Sequence, residues 1–310
     1  MNQALSEARQ RAVERARACF LRACELDVAV RKPGNVSRAS AGHGMQAEMF
    51  IASAQAAAGP LFRPGARVGE RIEAAVAASW AVAGCNTNLG ILLLCAPIAL
   101  AVERRPEATS PAALRAAIEE VLADLNQLDS QAAYRAIARA RPGGLGSAPG
   151  EDVREAPTLG LRAAMTLAAH RDSIARQYRD GHADLFDIGL PALSASSASD
   201  EVGKGFSLTI VSAIGVVGAP TVAAVQRLYL ALLGRFADSH IVRIHGEPVA
   251  HIVMTAAQAW QALARGGREL DADPEFAAWD TALKLQRINP GTTADLTVAT
   301  LLVAGLTTPG

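Results

Sequence analysis

The sequence predicts an all-α protein, a single-domain helical bundle built around a buried central helix. Half of the 310 residues are hydrophobic but only 4% are aromatic, and Ala, Leu and Val dominate the apolar set. Ala and Leu favour helices and pack closely between them. Few segments alternate with the period of two that is typical of strands, so a substantial sheet is not expected. Because no repeat of fixed period and no convincing linker interrupts the chain, we predict one domain over residues 1–310.

The predicted central helix begins near Leu89 and runs to Val102. This segment is the longest run of large aliphatic residues in the chain, and it is apolar on every face, so other elements must enclose it. It contains Pro97 and is only 14 residues long, whereas about 20 residues are needed to span a bilayer. A core helix is therefore predicted rather than a membrane span. Thr87 or Asn88 could cap its first turn, because a short side-chain oxygen there can accept the free N–H groups.

Apolar residues at three-to-four spacing predict further helices along the chain. The first stops at a Lys-Pro-Gly turn, since Pro disfavours helix in the residue before it. One long helix is expected over 158–180, with a solvated ion pair between Asp172 and Arg176. Residues 181–204 are predicted to be rich in loops, and 206–218 to form a buried helix. The remaining helices are predicted over about 3–31, 45–58, 70–82, 111–126, 130–140, 220–237, 248–265 and 274–286, with a last one after the segment 289–296.

Composition also limits the classes of partner. Thirty basic and thirty acidic residues give a formal net charge of zero, so bulk electrostatics does not indicate a nucleic-acid or membrane partner. The first twenty residues are charged throughout and do not resemble a signal peptide. Four cysteines without CxxC spacing are typical of small buried hydrophobes in a reducing compartment. We therefore expect a cytoplasmic protein that acts on a small molecule, and we leave a homodimer open.

Four polar segments interrupt the apolar helices: KPGNVS (32–37), CNTN (85–88), DSHIVRIHG (238–246) and NPGTTAD (289–295). Each lies at a helix end, where backbone N–H or C=O groups are free to meet a ligand. The helix start that follows Asn86 also carries a partial positive charge and can bind phosphate. Four such segments in one mostly apolar chain favour convergence on a single polar cavity.

Each segment also has a purely structural explanation. The first could be a surface Pro-Gly turn, and the second could only satisfy a buried helix start. Thr292 and Asp295 match the S/T-x-x-D/E capping pattern, so Asp295 could do no more than hold a helix N-terminus. Asp238, His240 and His245 could ligate a metal, although their spacing fits no strong zinc signature.

The segment 141–157 follows another break in the helical pattern. Its GGLG sequence is not a phosphate-binding P-loop, because no Lys-Ser/Thr follows and no strand precedes it. We expect a flexible loop there, in which Asp152, Arg154 and Glu155 could still face a site.

The same polar segments carry a resemblance to a known family. Glu25 followed by KPGNVS, the pair Gly42-His43, NTNLG at 86–90, DSHIVRIHG and NPGTTADL occur in order between about residues 20 and 305. Together they resemble the ATP:dephospho-CoA triphosphoribosyltransferases, the synthases of triphosphoribosyl-dephospho-CoA. That family is all-helical, and its reaction joins ATP to 3′-dephospho-CoA with release of adenine.

The sequence departs from the family pattern at several points. The central motif of the synthases reads N-T-H-K-G, whereas Asn88 and Leu89 stand at the third and fourth positions here, which removes a cation expected near a triphosphate. An acid normally follows the second-motif histidine, but Gly44 follows His43, and the family's Gly-Ala-Arg-Gly-Glu-Ala segment has no good counterpart. The chain therefore resembles a divergent branch found among archaea and methylotrophs and associated with one-carbon cofactor biosynthesis.

The resemblance implies roles for particular residues. Lys32, Arg243 and the helix start at Asn86 would bind phosphate. Asp238 and Asp295 would hold Mg²⁺, a hard cation that prefers oxygen ligands. Asp238, His240 and His43 would form the catalytic set, with a histidine transferring the proton. Further substrate contacts are expected from Glu25, Asn35, Ser37, Thr87, Asn88, His245 and Thr293.

Two other functions stay open on the sequence alone. One is a different enzyme of one-carbon carrier biosynthesis, of the methanopterin or methanofuran type, on the same scaffold. The other is a non-catalytic helical protein that binds a phosphorylated metabolite.

Overall fold

The computed structural model describes residues 2–147, 150–195 and 218–308. These residues form fourteen α-helices, one π-helix and no strand, which confirms the predicted all-α class. The predicted helix over 206–218 falls, except for its last residue, outside them. The α-helices are α1 (Asn2–Ala29), α2 (Ala47–Leu61), α3 (Val68–Ala83), α4 (Leu89–Arg104), α5 (Pro111–Ala123), α6 (Gln127–Ala140), α7 (Leu161–Ala168), α8 (Ser173–Arg179), α9 (Leu190–Ser194), α10 (Ala219–Leu233), α11 (Ser239–His245), α12 (Glu247–Arg265), α13 (Pro274–Leu285) and α14 (Gly291–Thr307).

Helix α4 is the predicted central helix, and it is buried along almost its whole length. The side chains of Ile91 to Leu94, which cover all sides of one turn, are between 0 and 6% exposed. Helices α1, α2, α3, α5, α8 and α14 pack around α4. Within the described ranges no helix is long and apolar enough to cross a membrane. The prediction that this apolar helix is enclosed by other helices is confirmed.

Pro97 interrupts the hydrogen bonds of the central helix, and α8 with its following turn repairs the gap. Proline has no N–H, so the carbonyl of Leu93 loses its partner four residues on. The Tyr178 hydroxyl donates to that carbonyl at 2.7 Å. His182 Nε2 donates to the next carbonyl, that of Leu94, at 3.1 Å. Two buried side chains thereby tie α8 to the middle of α4.

The single helix predicted over 158–180 is wrong, because the chain breaks between α7 and α8. Asp172 caps α8: its Oδ1 accepts the N–H groups of Ile174 and Ala175 at 2.9 and 3.0 Å. A short carboxylate can bind nearby backbone N–H groups in this way and so favours a cap over the helix interior. The predicted pair between Asp172 and Arg176 is also absent, since Arg176 contacts Asp184 at 2.7 Å.

The region after α8 is more ordered than its composition predicts. Residues 181–204 are expected to be rich in loops, yet a π-helix (Leu185–Gly189) and α9 occupy part of this range. Gly189 faces α14 so closely that a Cβ there would lie 2.5 Å from Thr300 Oγ1. The segment around the serine-rich sequence at 194–201 lies mostly outside the described residues.

His182 should make stability depend on pH. Burial lowers its pKa from 6.5 to about 4. The unfolded chain binds this proton near pH 6.5 and the folded chain only near pH 4, so the stabilisation is complete above 6.5. As the pH falls through this window, the free energy of unfolding should decrease by up to about 3 kcal/mol. His182→Gln keeps a donor for the Leu94 carbonyl but cannot titrate.

Urea unfolding at pH 6.5 and 4.5 tests this expectation. The free energy of unfolding should fall less in His182→Gln than in the parent. His170→Gln, a substitution at an exposed histidine, should behave like the parent. Equal pH dependence in the parent and in His182→Gln would contradict the assignment.

Candidate active site

A cavity of about 410 Å³ lies at the N-terminal end of α4. The starts of α4, α8, α11 and α14 all contribute to its lining, as does the loop of residues 142–146. Free N–H groups and partial positive charge at helix starts favour anions. The structure also brings the four polar segments together here, through Asn35, Asn86, His240 and Asp295 among others. The predicted convergence on one cavity is thus observed, although most of its lining surface is apolar and not polar.

Close packing of two Pro-Gly turns brings the first and last segments into contact. Gly34 has φ +81°, and a Cβ there would lie 2.7 Å from Pro290 Cδ. The Gly34 N–H donates to the buried Asp280 carboxylate at 2.9 Å. Lys284, one turn further along α13, pairs with the same carboxylate at 2.9 Å. The first turn is therefore fixed against α13 and α14 and does not lie free on the surface.

Lys32 does not line the cavity but lies behind its wall. The side chain is fully buried, its Nζ is 3.0 Å from Asp27 Oδ1, and it donates to Asn35 Oδ1 at 2.7 Å. Asp27 and Asn35 both face the cavity. The ammonium expected to bind phosphate is thus the countercharge of a cavity carboxylate.

The acid that α1 presents to the cavity is Asp27 and not the predicted Glu25. Glu25 is exposed and pairs with Arg22 at 3.1 Å. Residues two apart in an α-helix are rotated by about 200° around its axis, so Glu25 and Asp27 face opposite sides of α1. Asp27 follows Ala23 by four residues on the apolar face of α1, and an acid on that face is the signal that sequence reasoning missed.

Asp238 joins two helix starts and does not line the cavity. Its Oδ1 accepts the N–H groups of His240 and Ile241 at 2.9 and 3.1 Å, and its Oδ2 accepts the Thr293 N–H and hydroxyl, each at 2.7 Å. Four donors therefore occupy the carboxylate, which caps α11 and fixes α14 to it. Burial raises the pKa of Asp238, and the bonds from Thr293 oppose the rise. Thr293, expected to contact substrate, is used in this junction.

Asp295 is the cavity carboxylate that has neither a hydrogen-bond donor nor an ion-pair partner among the described residues. It lies in the second turn of α14, against Gly90 at the start of α4, where any Cβ would collide with its carboxylate. The N-cap position of α14 is Pro290, so the capping explanation for Asp295 is wrong. Burial raises the pKa of Asp295 well above its usual range, and the nearby carboxylates of Asp27 and Asp238 add to the rise.

His240 is the one predicted histidine that lines the cavity. Its Nδ1 is 3.0 Å from the carbonyl oxygen of Asn289. A carbonyl only accepts, so Nδ1 carries the proton and the lone pair of the neutral ring lies on Nε2. Burial lowers the pKa of His240, which favours the neutral ring at pH 7.

The other two histidines lie outside the cavity lining. His43 Nε2 donates to the Gly34 carbonyl at 2.8 Å, although the ring is near enough to His240 to contribute to lowering its pKa. His245 Nε2 donates to the Arg287 carbonyl at 3.1 Å. Both support the turns around the site and neither faces its interior.

Two arginines supply the cations of the described lining. Arg243 donates to Asp172 at 2.6 Å, as the start of α8 and that of α11 lie side by side. Arg171 is exposed at the cavity mouth, and its guanidinium has no hydrogen-bond or ion-pair partner among the described residues. Sequence reasoning assigned Arg243 to phosphate but did not single out Arg171 for the site.

The cap of α4 differs from the predicted one. The Leu89 N–H donates to Asn86 Oδ1 at 3.1 Å, so Asn86 satisfies the first N–H of the helix. The Thr87 hydroxyl donates to Ser53 at 2.8 Å, and the Asn88 amide donates to Ser79 at 3.0 Å. The structure places Thr87 and Asn88 against α2 and α3, where these hydroxyl partners occupy their side chains, and all three polar residues line the cavity.

The chain matches the sequence model of the ATP:dephospho-CoA triphosphoribosyl transferase family over residues 13–310. It belongs to this family. It is accordingly a transferase of the triphosphoribosyl-dephospho-CoA synthase type, as the motif resemblance predicts. No curated protein matches the chain.

A solved structure has a fold similar to that of this chain. It is the crystal structure of an Archaeoglobus fulgidus protein assigned as a triphosphoribosyl-dephospho-CoA synthase. The TM-score is 0.63 at 22% identity, over 84% of this chain and 98% of that one. At this identity the similarity shows the fold alone.

The loop 142–146 of this transferase forms a wall of the cavity. Gly144 has φ +68°, and a Cβ there would lie 2.8 Å from the Arg243 carbonyl, so the loop packs directly on α11. Glu151 and Asp152 also line the cavity. Arg154 pairs with Asp152 at 2.7 Å. Of the three residues expected to face a site from this region, only Asp152 does so.

The remaining predicted contacts lie outside the lining. Ser37 is buried, its N–H donates to the Ser40 carbonyl at 3.0 Å, and its hydroxyl has no partner among the described residues. The predicted residues outside the lining are Glu25, Lys32, Ser37, His43, Asp238, His245 and Thr293; those in it are Asn35, Asn86, Thr87, Asn88, His240, Arg243 and Asp295.

Breaking the buried pair of Lys32 and Asp27 should be costly, and removing both charges should be much less so. Lys32→Met leaves an uncompensated buried carboxylate, and loss of one partner of such a pair typically costs about 3–5 kcal/mol. The double variant with Asp27→Asn has no charge to compensate. Urea unfolding should therefore show the double variant to be more stable than Lys32→Met alone, whereas strictly additive losses would contradict the pairing.

Gly90→Ala should displace the Asp295 carboxylate. The added methyl group would occupy the space of that side chain, so adenine release from ATP should fall at least about tenfold if Asp295 is used. The control is Gly59→Ala, since a Cβ at this helical glycine meets nothing within 4 Å. Unchanged turnover in Gly90→Ala would show that the position of Asp295 does not matter.

Proposed function

We propose that the protein binds ATP in this cavity and transfers the triphosphoribosyl group of ATP to a hydroxyl of dephospho-CoA, with release of adenine. One observation carries this proposal. A helix start, arginines, a carboxylate without a partner among the described residues, and a neutral histidine come from separate parts of the chain and face the same cavity of about 410 Å³. Phosphate binding, cation binding and proton transfer are the three tasks of this reaction, and these groups supply them.

The phosphates would lie between the start of α4 and Arg243. Helix α4 is 16 residues long, and its first N–H groups and macrodipole favour a phosphate. Asp172 holds one nitrogen of the Arg243 guanidinium and so orients the rest of the fork, whose planar geometry suits phosphate oxygens. Leu89 lines the cavity where the synthases carry a lysine, so arginine takes the place of that cation here.

Asp295 and Asp27 are better placed to hold Mg²⁺ than the predicted pair of Asp295 and Asp238. Four donors already occupy Asp238, whereas Asp295 has no described hydrogen-bond donor and the charge of Asp27 lies close to it. No group of three or more His, Cys, Asp or Glu side chains in the described ranges could hold a metal. Mg²⁺ usually binds one or two carboxylates together with substrate phosphates, and there it neutralises phosphate charge.

His240 is the proposed general base. Breaking the bond between ribose C1′ and adenine gives an oxocarbenium-like transition state, and the acceptor hydroxyl must lose its proton as its oxygen bonds to C1′. Nε2 of the neutral His240 ring can take that proton. Adenine gains one proton as it leaves, so the reaction consumes none overall.

An enzyme of one-carbon carrier biosynthesis on the same scaffold is the second candidate. The observation in its favour is the apolar Leu89 in the lining, which changes the surroundings of the phosphate site relative to the synthases. Release of adenine from ATP separates the two candidates. Turnover of another phosphorylated substrate without adenine release would favour the second.

The carboxylate assignment predicts different outcomes for two substitutions. Asp295→Asn removes a charge that has no partner among the described residues, so adenine release should fall at least about 100-fold while the melting temperature is kept or raised. Asp238→Asn disturbs four bonds, so it should mainly lower the melting temperature. Mn²⁺ titration by electron paramagnetic resonance should show weaker metal binding only in Asp295→Asn. Normal turnover and normal Mn²⁺ binding in that variant would sink the assignment.

The base assignment predicts a pH profile. Because burial lowers the pKa of His240, kcat/KM should stay level as the pH falls to the ordinary histidine value near 6.5 and decrease only below it. His240→Gln keeps a donor to Asn289 but has no titrating group, so its residual activity should lose this acidic limb. If kcat/KM of His240→Gln still decreases at acidic pH as it does in the parent, another residue transfers the proton.

A further inference from the structure

The mouth of the cavity carries an exposed apolar rim formed by Leu145, Leu167 and Ile244. These side chains are 43%, 54% and 46% exposed. Leu145 itself lines the cavity, and a Cβ on Gly144 beside it would lie 3.0 Å from Ile244 Cδ1. A cluster of exposed large apolar side chains beside a cavity marks a binding surface, whereas single ones are ordinary.

Leu167 extends the rim along α7. It lies three residues after Ala164 and next to Ala168, both of which line the cavity. Residues three apart are neighbours on a helix surface. Leu167 therefore borders the cavity lining on α7, as Ile244 borders it beside Gly144.

The proposed reaction joins two substrates, and the cavity is the size of one ligand. A volume of about 410 Å³ is at the lower end of the range for small-molecule pockets. Dephospho-CoA is elongated: its adenosine carries the acceptor hydroxyl, a diphosphate follows, and a long uncharged amide arm ends in a thiol. If the hydroxyl reaches His240, the arm must leave through the mouth.

Arg171 lies at the mouth with its charge uncompensated among the described residues. Its guanidinium makes no described hydrogen bond or ion pair, in contrast to Arg243, which Asp172 holds. An unpartnered, exposed arginine beside an apolar rim matches a ligand that has a diphosphate next to an uncharged chain.

We propose that the rim binds the pantetheine arm of the acceptor and that Arg171 binds its diphosphate. This inference rests on the proposed function, because that function supplies the acceptor. It places ATP in the cavity interior and the arm of the acceptor on the rim, while the adenosine of the acceptor reaches toward His240.

Calorimetry with dephospho-CoA and with pantetheine, both without ATP, tests the assignment. Leu145→Ser and Ile244→Ser should each weaken both ligands about fivefold, since each removes partly buried apolar area from the complex. Arg171→Gln should weaken dephospho-CoA about tenfold and leave pantetheine unchanged, because pantetheine has no phosphate. Leu285→Ser, at an 81% exposed residue of α13, is the matched control and should bind both ligands as the parent does.

Adenine release by the parent separates the two proposals. Turnover by the parent, with parental affinities in both rim variants, would overturn the rim assignment and leave the proposed function intact. Failure of the parent to release adenine, with the expected calorimetric pattern, would overturn the reaction and support the rim. Failure of the parent to bind pantetheine, or an equal loss of affinity in Leu285→Ser, would overturn the rim.

Discussion

A helix that is apolar on every side is stable only if other elements cover its full circumference, and α4 is such a helix. Its neighbours α1, α2, α3, α5, α8 and α14 provide that cover. Apolar neighbours cannot cover the N-terminal end of α4 in this way, because the N–H groups of its first turn need hydrogen-bond acceptors. The fold places polar segments from distant parts of the chain around this end. The candidate active site is thus a consequence of how the central helix begins.

Two aspartates join helix ends around the cavity. Asp172 caps α8 and holds Arg243 of α11, while Asp238 caps α11 and binds the start of α14. Each carboxylate has two oxygens and can therefore serve two elements at once. Fixing helix starts in this way positions the lining side chains, and it uses bonds to N–H groups that would otherwise be unsatisfied.

The sequence was sufficient for the fold class, for the enclosure of α4 and for the convergence of the four polar segments. It was not sufficient for the roles of single residues inside them. Lys32 and Arg243 are both cations in polar segments, so the sequence does not distinguish them. In the structure Lys32 is the buried countercharge of Asp27, whereas Arg243 lines the cavity. That difference depends on the direction of the Lys32 side chain at the start of a Pro-Gly turn, and the packing of this turn against α13 fixes that direction. Likewise, the S/T-x-x-D pattern at Thr292 predicts that Asp295 caps α14. In the structure it is Asp238, the cap of α11, that accepts the Thr293 N–H at the start of α14.

Five aspartates lie in or beside this cavity, and their compensation distinguishes them. Asp152 pairs with Arg154. Asp27 has the ammonium of Lys32, Asp172 has a guanidinium and two N–H groups, and Asp238 has four donors. Asp295 has none among the described residues, and its pKa is raised well above its usual range. Burying a carboxylate without a partner costs free energy, and a polyanionic substrate would add repulsion. A cation that arrives with the phosphates would remove both penalties, so the lack of a partner for Asp295 among the described residues is the physical reason for the metal–phosphate complex proposed beside it.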